Sequence, residues 1–274
     1  MPDSGGINAA LALIQMKKLY LIGMGPGGSE YLTMQAIQTL KQVDVFFMLE
    51  KEGRGKAELL TQRQDILTHY LGASGYRVVM AASPPRAKTA DYQNDVQVWH
   101  DQKRALFADL IRDELADGQT GAFLLWGDPS LYDQTVSLVA DLAAHSAGQM
   151  DFEIIPGITS VQVLTAKHKI PLNRVGESIT ITTGRHAETC DPATLDNAVV
   201  MLDYNASFQR FTGQEMDIYW GGYLGCPDEM LVAGSLDEVL DDLLRAKSQA
   251  RDEKGWLMDI YLLRRRQRDN SAFE

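Results

Sequence analysis

Three short runs in this chain carry the residue types that hold a ligand and align it for reaction. In the first, Phe123-Leu124-Leu125 runs into Trp126-Gly127-Asp128-Pro129-Ser130-Leu131-Tyr132-Asp133, which predicts a buried strand ending in a tight turn. Gly127 lets backbone approach a ligand closely, and Asp128 supplies acceptor oxygens. Pro129 suits the first turn of a helix, whose apolar pattern is expected from Leu131 through Val136 to Leu138-Val139. In the second run, the strand Phe152-Glu153-Ile154-Ile155 breaks at Pro156-Gly157-Ile158, and Thr159 or Ser160 caps a new helix whose first N–H groups can meet the polar parts of a ligand. The third, Gly23-Met24-Gly25-Pro26-Gly27-Gly28, follows the apolar strand Leu19-Tyr20-Leu21-Ile22. It matches the dinucleotide pattern G-x-G-x-x-G, with Glu50 near the place of a ribose-binding acid, so a nicotinamide-dependent dehydrogenase is one reading. Against it, Pro26 lacks the N–H that a pyrophosphate cradle would use.

The elements that must position these runs alternate between strand and helix in the first half. After the opening strand come a helix over Thr33 to Val43, a strand at Val45 to Leu49, an amphipathic helix over Val96 to Leu115, the central strand and a helix over Val136 to Ala147. Asn173 to Glu177 reads as a linker. Beyond it strands dominate, at Ser178–Thr183, Ala198–Leu202, Asp217–Trp220, Met230–Ala233 and Trp256–Leu263, with a helix over Leu236 to Ala246. The fold class is therefore α/β, with a mostly parallel N-terminal sheet and a mixed C-terminal one. The expected organisation is an extension at 1–16, an N-terminal α/β domain at 17–172 and a C-terminal α/β domain at 178–274. Arg264-Arg265-Arg266 reads as a solvated end.

Bulk properties narrow the function classes. A chain of 274 residues can bury a sizeable core, and a formal charge of -11 argues against a general nucleic-acid binder. Two cysteines, Cys190 and Cys226, are too few for a disulfide framework and lack metal-ligand spacing, so no metal site is expected and a reducing cytoplasm is the simplest compartment. No apolar run reaches the length of a membrane span. Within this acidic chain, Lys51, Arg54, Lys56, Arg63, Arg77, Arg86 and Lys88 form a local basic stretch. It reads either as a solvated face or as a wall facing a substrate with several carboxylates, in which case Arg54 and Arg63 serve substrate affinity more than stability.

The ordered set of Gly23 to Gly28 before Tyr31-Leu32-Thr33, Trp126 to Asp133, Pro156 to Ser160 and Lys169-Ile170-Pro171-Leu172 resembles the tetrapyrrole methylases over roughly residues 17 to 264. That resemblance implies two α/β domains with the active site in the cleft between them, use of S-adenosyl-L-methionine (SAM) with S-adenosyl-L-homocysteine as product, a precorrin tetrapyrrole substrate and a homodimer. By resemblance, the cofactor contacts fall on Pro26, Trp126, Gly127, Asp128, Leu131, Thr159 and Ser160, and in the second half on Met201, Leu202 and Ala233. Asp128 has a second reading as a brace of its own turn. Many family members carry Asp where this chain has Gly28, with Glu30 the nearest substitute. The forms at Trp126 to Asp133, Ile170 to Asn173 and Tyr223 to Glu229 are most similar to the branch that methylates precorrin-5 at C-1 with loss of acetate; a C-11 methyltransferase of precorrin or cobalt-precorrin is the neighbouring alternative. Acetate loss needs an activated water and a donor for the developing oxyanion, for which Asp133, Tyr132, Arg185, His168 and His186 are the candidates.

Overall fold

The computed structural model describes residues 16–266 except 51, 52, 56, 86, 88 and 90. Most of the expected N-terminal extension, and Lys51, Lys56, Arg86 and Lys88 of the basic stretch, thus lie outside the described residues.

The first half builds β1 (Lys17–Gly23), α1 (Met34–Leu40), β2 (Val45–Glu50), α2 (Ala57–Leu71), β3 (Arg77–Ala82), α3 (Tyr92–Glu114), β4 (Thr120–Leu125), α4 (Thr135–Ala144) and β5 (Met150–Ile155). Its five strands pair in parallel in the order β3-β2-β4-β1-β5. Alternation along the strands decides what each face covers. Tyr20, Ile22, Phe46 and Met48 meet Ala36 and Leu40 of α1 and Ile66 and Leu67 of α2. The opposite set, Leu19, Leu21, Phe47 and Phe123, meets Phe107 and Leu110 of α3 and Leu138 and Val139 of α4. The Phe123 ring stacks on Phe107 at 4.4 Å and on Phe47 at 5.1 Å, between ring centroids.

The second half contains α5 (Ser160–His168), β6 (Thr180–Thr183), α6 (Gly184–Ala187), β7 (Asn197–Met201), β8 (Met216–Gly222), β9 (Met230–Ser235), α7 (Leu236–Lys254) and β10 (Asp259–Arg265). Its sheet runs β6-β7-β10-β8-β9 and is mixed: β6 and β7 are parallel, the other pairs antiparallel. Leu236 and Leu243 of α7 cover one face with Trp220, Tyr261 and Leu263. Val161 and Leu164 of α5 cover the other with Val199, Ile260 and Leu262. The chain from Pro156 into α5 therefore leaves the first sheet at its carboxyl end and docks on the second.

Three local readings change. The helix after β4 begins at Thr135 rather than Leu131, because Tyr132 adopts φ 55°, which no helix continues through. The Asp133 carboxylate then accepts the Thr135 N–H at 2.7 Å at the true start. The basic stretch contains α2 and the edge strand β3, whose half-exposed Arg77-Val78-Val79-Met80 lacks a clean apolar alternation. Arg264 is not part of a solvated end: it is 6% exposed and donates to the carbonyls of Pro171 at 2.7 Å and Leu172 at 3.0 Å. Those carbonyls belong to the segment joining the two sheets, and Asn197 Nδ2 reaches the Leu172 carbonyl as well, at 3.5 Å, so the guanidinium is held by backbone acceptors from a distant part of the chain.

The halves also meet directly. The Gly28 N–H donates to the Gly225 carbonyl at 2.7 Å, Gln62 Nε2 to Cys226 Sγ at 3.3 Å, and Lys254 pairs with Glu58 at 2.9 Å and with Asp228. Among the described residues no helix is long and apolar enough to cross a membrane, and no group of three His, Cys, Asp or Glu side chains could hold a metal ion.

Candidate functional site

In the first sheet, β1 and β4 are neighbours whose following helices α1 and α4 lie on opposite faces, so the chains leaving their carboxyl ends diverge and open a crevice. Both ends are glycine-rich for a packing reason. Gly25 and Gly127 form an isolated bridge, with the Gly127 N–H donating to the Gly25 carbonyl at 2.8 Å. The turn after β5 closes against the same point: a Cβ on Gly157 would overlap the Gly127 carbonyl oxygen and come within 2.8 Å of the Gly23 Cα. Three loops far apart in sequence are thereby forced together.

Asp128 ties two of them. One carboxylate oxygen accepts the Ser130 N–H at 2.8 Å and the Ser130 hydroxyl; the other accepts the Gly157 N–H at 2.8 Å. Burial by itself would raise its pKa, but the Ser130 hydroxyl and the Gly157 and Ser130 amides outweigh burial and hold it below the usual carboxylate range. Asp128 thus braces its own turn and also fastens the β4 loop to the β5 loop. Next to it, Thr159 caps α5 in a capping box with Gln162, accepting the Val161 N–H at 3.1 Å.

These loops form one wall of a cleft of 500 Å³, within the range of about 300–1,000 Å³ of small-molecule sites. Pro26, Trp126, Gly127, Asp128 and Leu131 line it, followed by Tyr132 and Asp133 and, at the start of α5, Thr159 and Ser160. The second half supplies the facing wall from Met201 and Leu202. Tyr132 spans the two halves, its hydroxyl donating to the Ile181 carbonyl at 3.2 Å, and its pKa is raised by burial.

Ala233, His168 and Arg185 do not line this cleft. Ala233 sits exposed on β9, two strands removed from the strand β10 that pairs with Met201, and strands stand about 4.8 Å apart. His168 Nε2 lies 3.0 Å from the Trp220 carbonyl, a pairing that needs the proton on that nitrogen. Arg185 and His186 lie exposed on α6.

The sequence reading missed the rest of the facing wall: Asp203, Tyr204 and Leu224, then Arg251 and Leu257 to Ile260. The antiparallel ladder Met201↔Ile260 puts the end of β7 beside the start of β10, so the residues flanking both strand ends face the first half. The signal available was the run Met201-Leu202-Asp203-Tyr204, which continues past the predicted strand. Beneath this wall lies a buried polar network. Lys247, 3% exposed, pairs with Asp259 and donates to the Asp203 carbonyl at 3.0 Å. Trp220 Nε1 donates to Asp259 at 2.8 Å, while the Asp203 carboxylate accepts from Tyr261 at 2.8 Å and from Ser207. Burial raises the pKa of Asp259, opposed by Lys247 and the Trp220 hydrogen bond. The Arg251 guanidinium lies 4.3 Å from the Tyr204 ring centroid at the cleft mouth.

The first glycine loop is not free for a pyrophosphate. Ahead of α1 come a single 3-10 turn at Ser29–Tyr31 and the cap Thr33, so the loop does not feed a helix N-terminus directly. A Cβ on Gly27 would lie 2.6 Å from the Gly225 carbonyl carbon, and one on Gly28 would overlap the Glu30 carboxylate. The second half plugs the space a dinucleotide would need.

The chain matches the family model "Tetrapyrrole (Corrin/Porphyrin) Methylases" over residues 18–240. It is 43% identical over 251 residues to "Precorrin-6A synthase [deacetylating]" of Sinorhizobium sp, covering 91% of this chain and 96% of that protein. Its fold superimposes with a TM-score of 0.76 and 36% identity on a putative cobalamin synthesis related protein (CobF) from Corynebacterium diphtheriae, covering 91% and 98% of the two chains. A uroporphyrin-III C-methyltransferase from Thermus thermophilus, solved with S-adenosyl homocysteine, shares the fold at a TM-score of 0.55 and 18% identity, over 90% of this chain and 97% of that one. With that match over most of its length, and glycine turns that converge at the switch point of a parallel sheet, this chain belongs to the tetrapyrrole methylase family.

Proposed function

We propose that this chain is a SAM-dependent C-methyltransferase of cobalamin biosynthesis that methylates precorrin-5 at C-1 with loss of acetate, giving precorrin-6A. The observation that carries this reading is the 43% identity to a deacetylating precorrin-6A synthase over nearly the whole of both chains. The cleft fits the two ligands. Close backbone packing at Gly157 brings the turns together to form one wall, and the walls are largely apolar, as an adenosine and a macrocycle edge require.

When bound, SAM supplies a methyl group on a sulfonium, which passes in line to the substrate carbon. The protein's part is alignment and dryness rather than strong acid or base. The turn held by Asp128 and Gly157 fixes one side of the donor pocket, and the network under Asp203 and Asp259 fixes the other. Leu131, Met201, Leu224, Leu257 and Ile260 exclude water between them. For acetate loss, water adds to the acetyl carbonyl with loss of its proton, the carbon–carbon bond to the ring breaks with its electron pair passing into the conjugated macrocycle, and acetate departs. Of the groups considered for that step, Asp133 and Tyr132 border the cleft, and the step is assigned to their end. A homodimer in the cytoplasm completes the proposal.

The test is incubation of the purified protein with precorrin-5 and methyl-labelled SAM. Labelled product and acetate released in equal amounts are expected. Methylation without acetate would move the activity to another branch of the family, and binding of a nicotinamide cofactor with no SAM binding would overturn it.

A further inference from the structure

Four aspartates line the cleft, Asp128, Asp133, Asp203 and Asp259, and among the described lining residues Arg251 is the one Lys, Arg or His. Such a wall offers a polycarboxylate little attraction except at that cation. We propose that Arg251, mounted on the ring of Tyr204, is the subsite that takes a peripheral carboxylate of the macrocycle, with Tyr204 and Leu202 as the apolar platform against its edge. The inference rests on the tetrapyrrole reading above and names the side chain that selects an acidic substrate.

Helix α7 fixes the arrangement. Lys247 and Arg251 stand four residues apart on it and share a face. Lys247 donates to the Asp203 carbonyl at 3.0 Å, and a terminal nitrogen of Arg251 donates to the carbonyl of the next residue, Tyr204. Successive turns of the helix thus hold successive carbonyls of the segment leaving β7. The Gly255 N–H closes the helix on the Arg251 carbonyl at 2.8 Å, so the arginine stands on ordered backbone. Along the held segment, Leu202 adopts φ 56°, a left-handed conformation that strains a leucine. The side chains then alternate: Leu202 is 67% exposed, Asp203 3% and Tyr204 75%. A backbone strained so as to keep two large apolar side chains in water presents them to a ligand.

The Arg251 guanidinium lies 4.3 Å from the Tyr204 ring centroid, and the ring covers one of its faces while leaving its edge open. The Tyr204 carbonyl engages one terminal nitrogen; among the described residues the guanidinium has no other acceptor and no ion pair. The lining carboxylates that could neutralise it are tied elsewhere, Asp128 to Gly157, Asp203 to Tyr261 and Asp259 to Lys247. The remaining N–H groups of the fork suit a carboxylate bidentately. Position separates the two acids that could fill it, the amino-acid carboxylate of the donor and a side chain of the macrocycle. The donor belongs between the Asp128–Gly157 turns and the apolar inner wall, whereas the larger macrocycle overhangs the rim. Tyr204 is three-quarters exposed at that rim, and its arginine meets the macrocycle.

The test titrates the full chain with uroporphyrin III, a stable octacarboxylate, following quenching of porphyrin fluorescence at low and moderate salt. Arg251→Met keeps an unbranched stem against Tyr204 and removes the charge. It is expected to weaken porphyrin binding about tenfold, the scale of one charge-assisted contact, and to flatten its salt dependence. Arg251→Lys keeps the charge without the fork and should fall between Arg251→Met and the parent. S-adenosyl-L-homocysteine affinity, measured by calorimetry, should be unchanged in both variants and so reports an intact fold. Equal porphyrin affinity in Arg251→Met and the parent, or no porphyrin binding by the parent, overturns the subsite. A loss that falls on S-adenosyl-L-homocysteine rather than on the porphyrin gives Arg251 to the donor's carboxylate and equally overturns it. Failure of precorrin-5 turnover by a parent with charge-dependent porphyrin affinity would instead overturn the methylase reading and leave the subsite standing.

Discussion

Replacing Asp128 by Ala removes a side chain that fastens the β4 turn to the β5 turn. Its carboxylate accepts from Ser130 N–H at 2.8 Å, the Ser130 hydroxyl and the Gly157 N–H at 2.8 Å. A hydrogen bond to a charged group contributes about 1.5–3 kcal/mol, and a partly exposed site lets water replace some of it, so a loss of about 1–2 kcal/mol is expected. For a chain of this size that is a fall in Tm of about 2–8 °C. Freeing Gly157 also lets the two turns separate, and an affinity loss of about tenfold for S-adenosyl-L-homocysteine, equivalent to about 1.4 kcal/mol, follows. The pKa of Asp128 is held below its ordinary value. Its stabilisation is therefore full above the unfolded carboxylate pKa of about 3.9 and is lost as pH falls through the lower folded value, so the Tm gap between parent and variant should close on acidification below roughly pH 4. Thermal melts across pH and calorimetry with S-adenosyl-L-homocysteine measure both effects. A folded Asp128→Ala protein with affinity within twofold of the parent would refute the fastening role.

Gly157→Ala puts a methyl into the Gly127 carbonyl and should cost about 1–3 kcal/mol with a more than tenfold loss of S-adenosyl-L-homocysteine affinity. Gly127→Ala, at φ 62° but with its nearest neighbour 3.7 Å from the new Cβ, should cost only the left-handed strain of about 1–2 kcal/mol, and melts of the two side by side separate clash from strain. Lys247→Met leaves Asp259 buried without its partner and should destabilise by about 3–5 kcal/mol at neutral pH in urea titrations. That loss should shrink as pH falls, because an orphaned Asp259 folds only with a proton, and the double variant Lys247→Met/Asp259→Asn should recover most of it.

Local chemistry wrote much of this molecule into its sequence. Glycine turns after apolar strands, the Thr159 cap and the alternation of strand with helix are properties of neighbours in the chain, so β1, β2, β4 and β5 and the first wall of the cleft were legible there. So was the mixed second sheet, whose strands Ser178–Thr183 and Ala198–Leu202 proved one or two residues out of place at their ends. What only the tertiary structure decided is who faces whom. Met201 meets Ile260 through an antiparallel ladder spanning most of the second half, and nothing local in either strand names its partner. The same pairing order moved Ala233 out of reach and brought Asp203, Tyr204 and Asp259 into the wall. Arg264 read as solvated because three consecutive arginines look like a surface end. It is buried because the folded chain lays it against the Pro171 and Leu172 carbonyls, acceptors 93 and 92 residues away that no neighbour in the sequence announces.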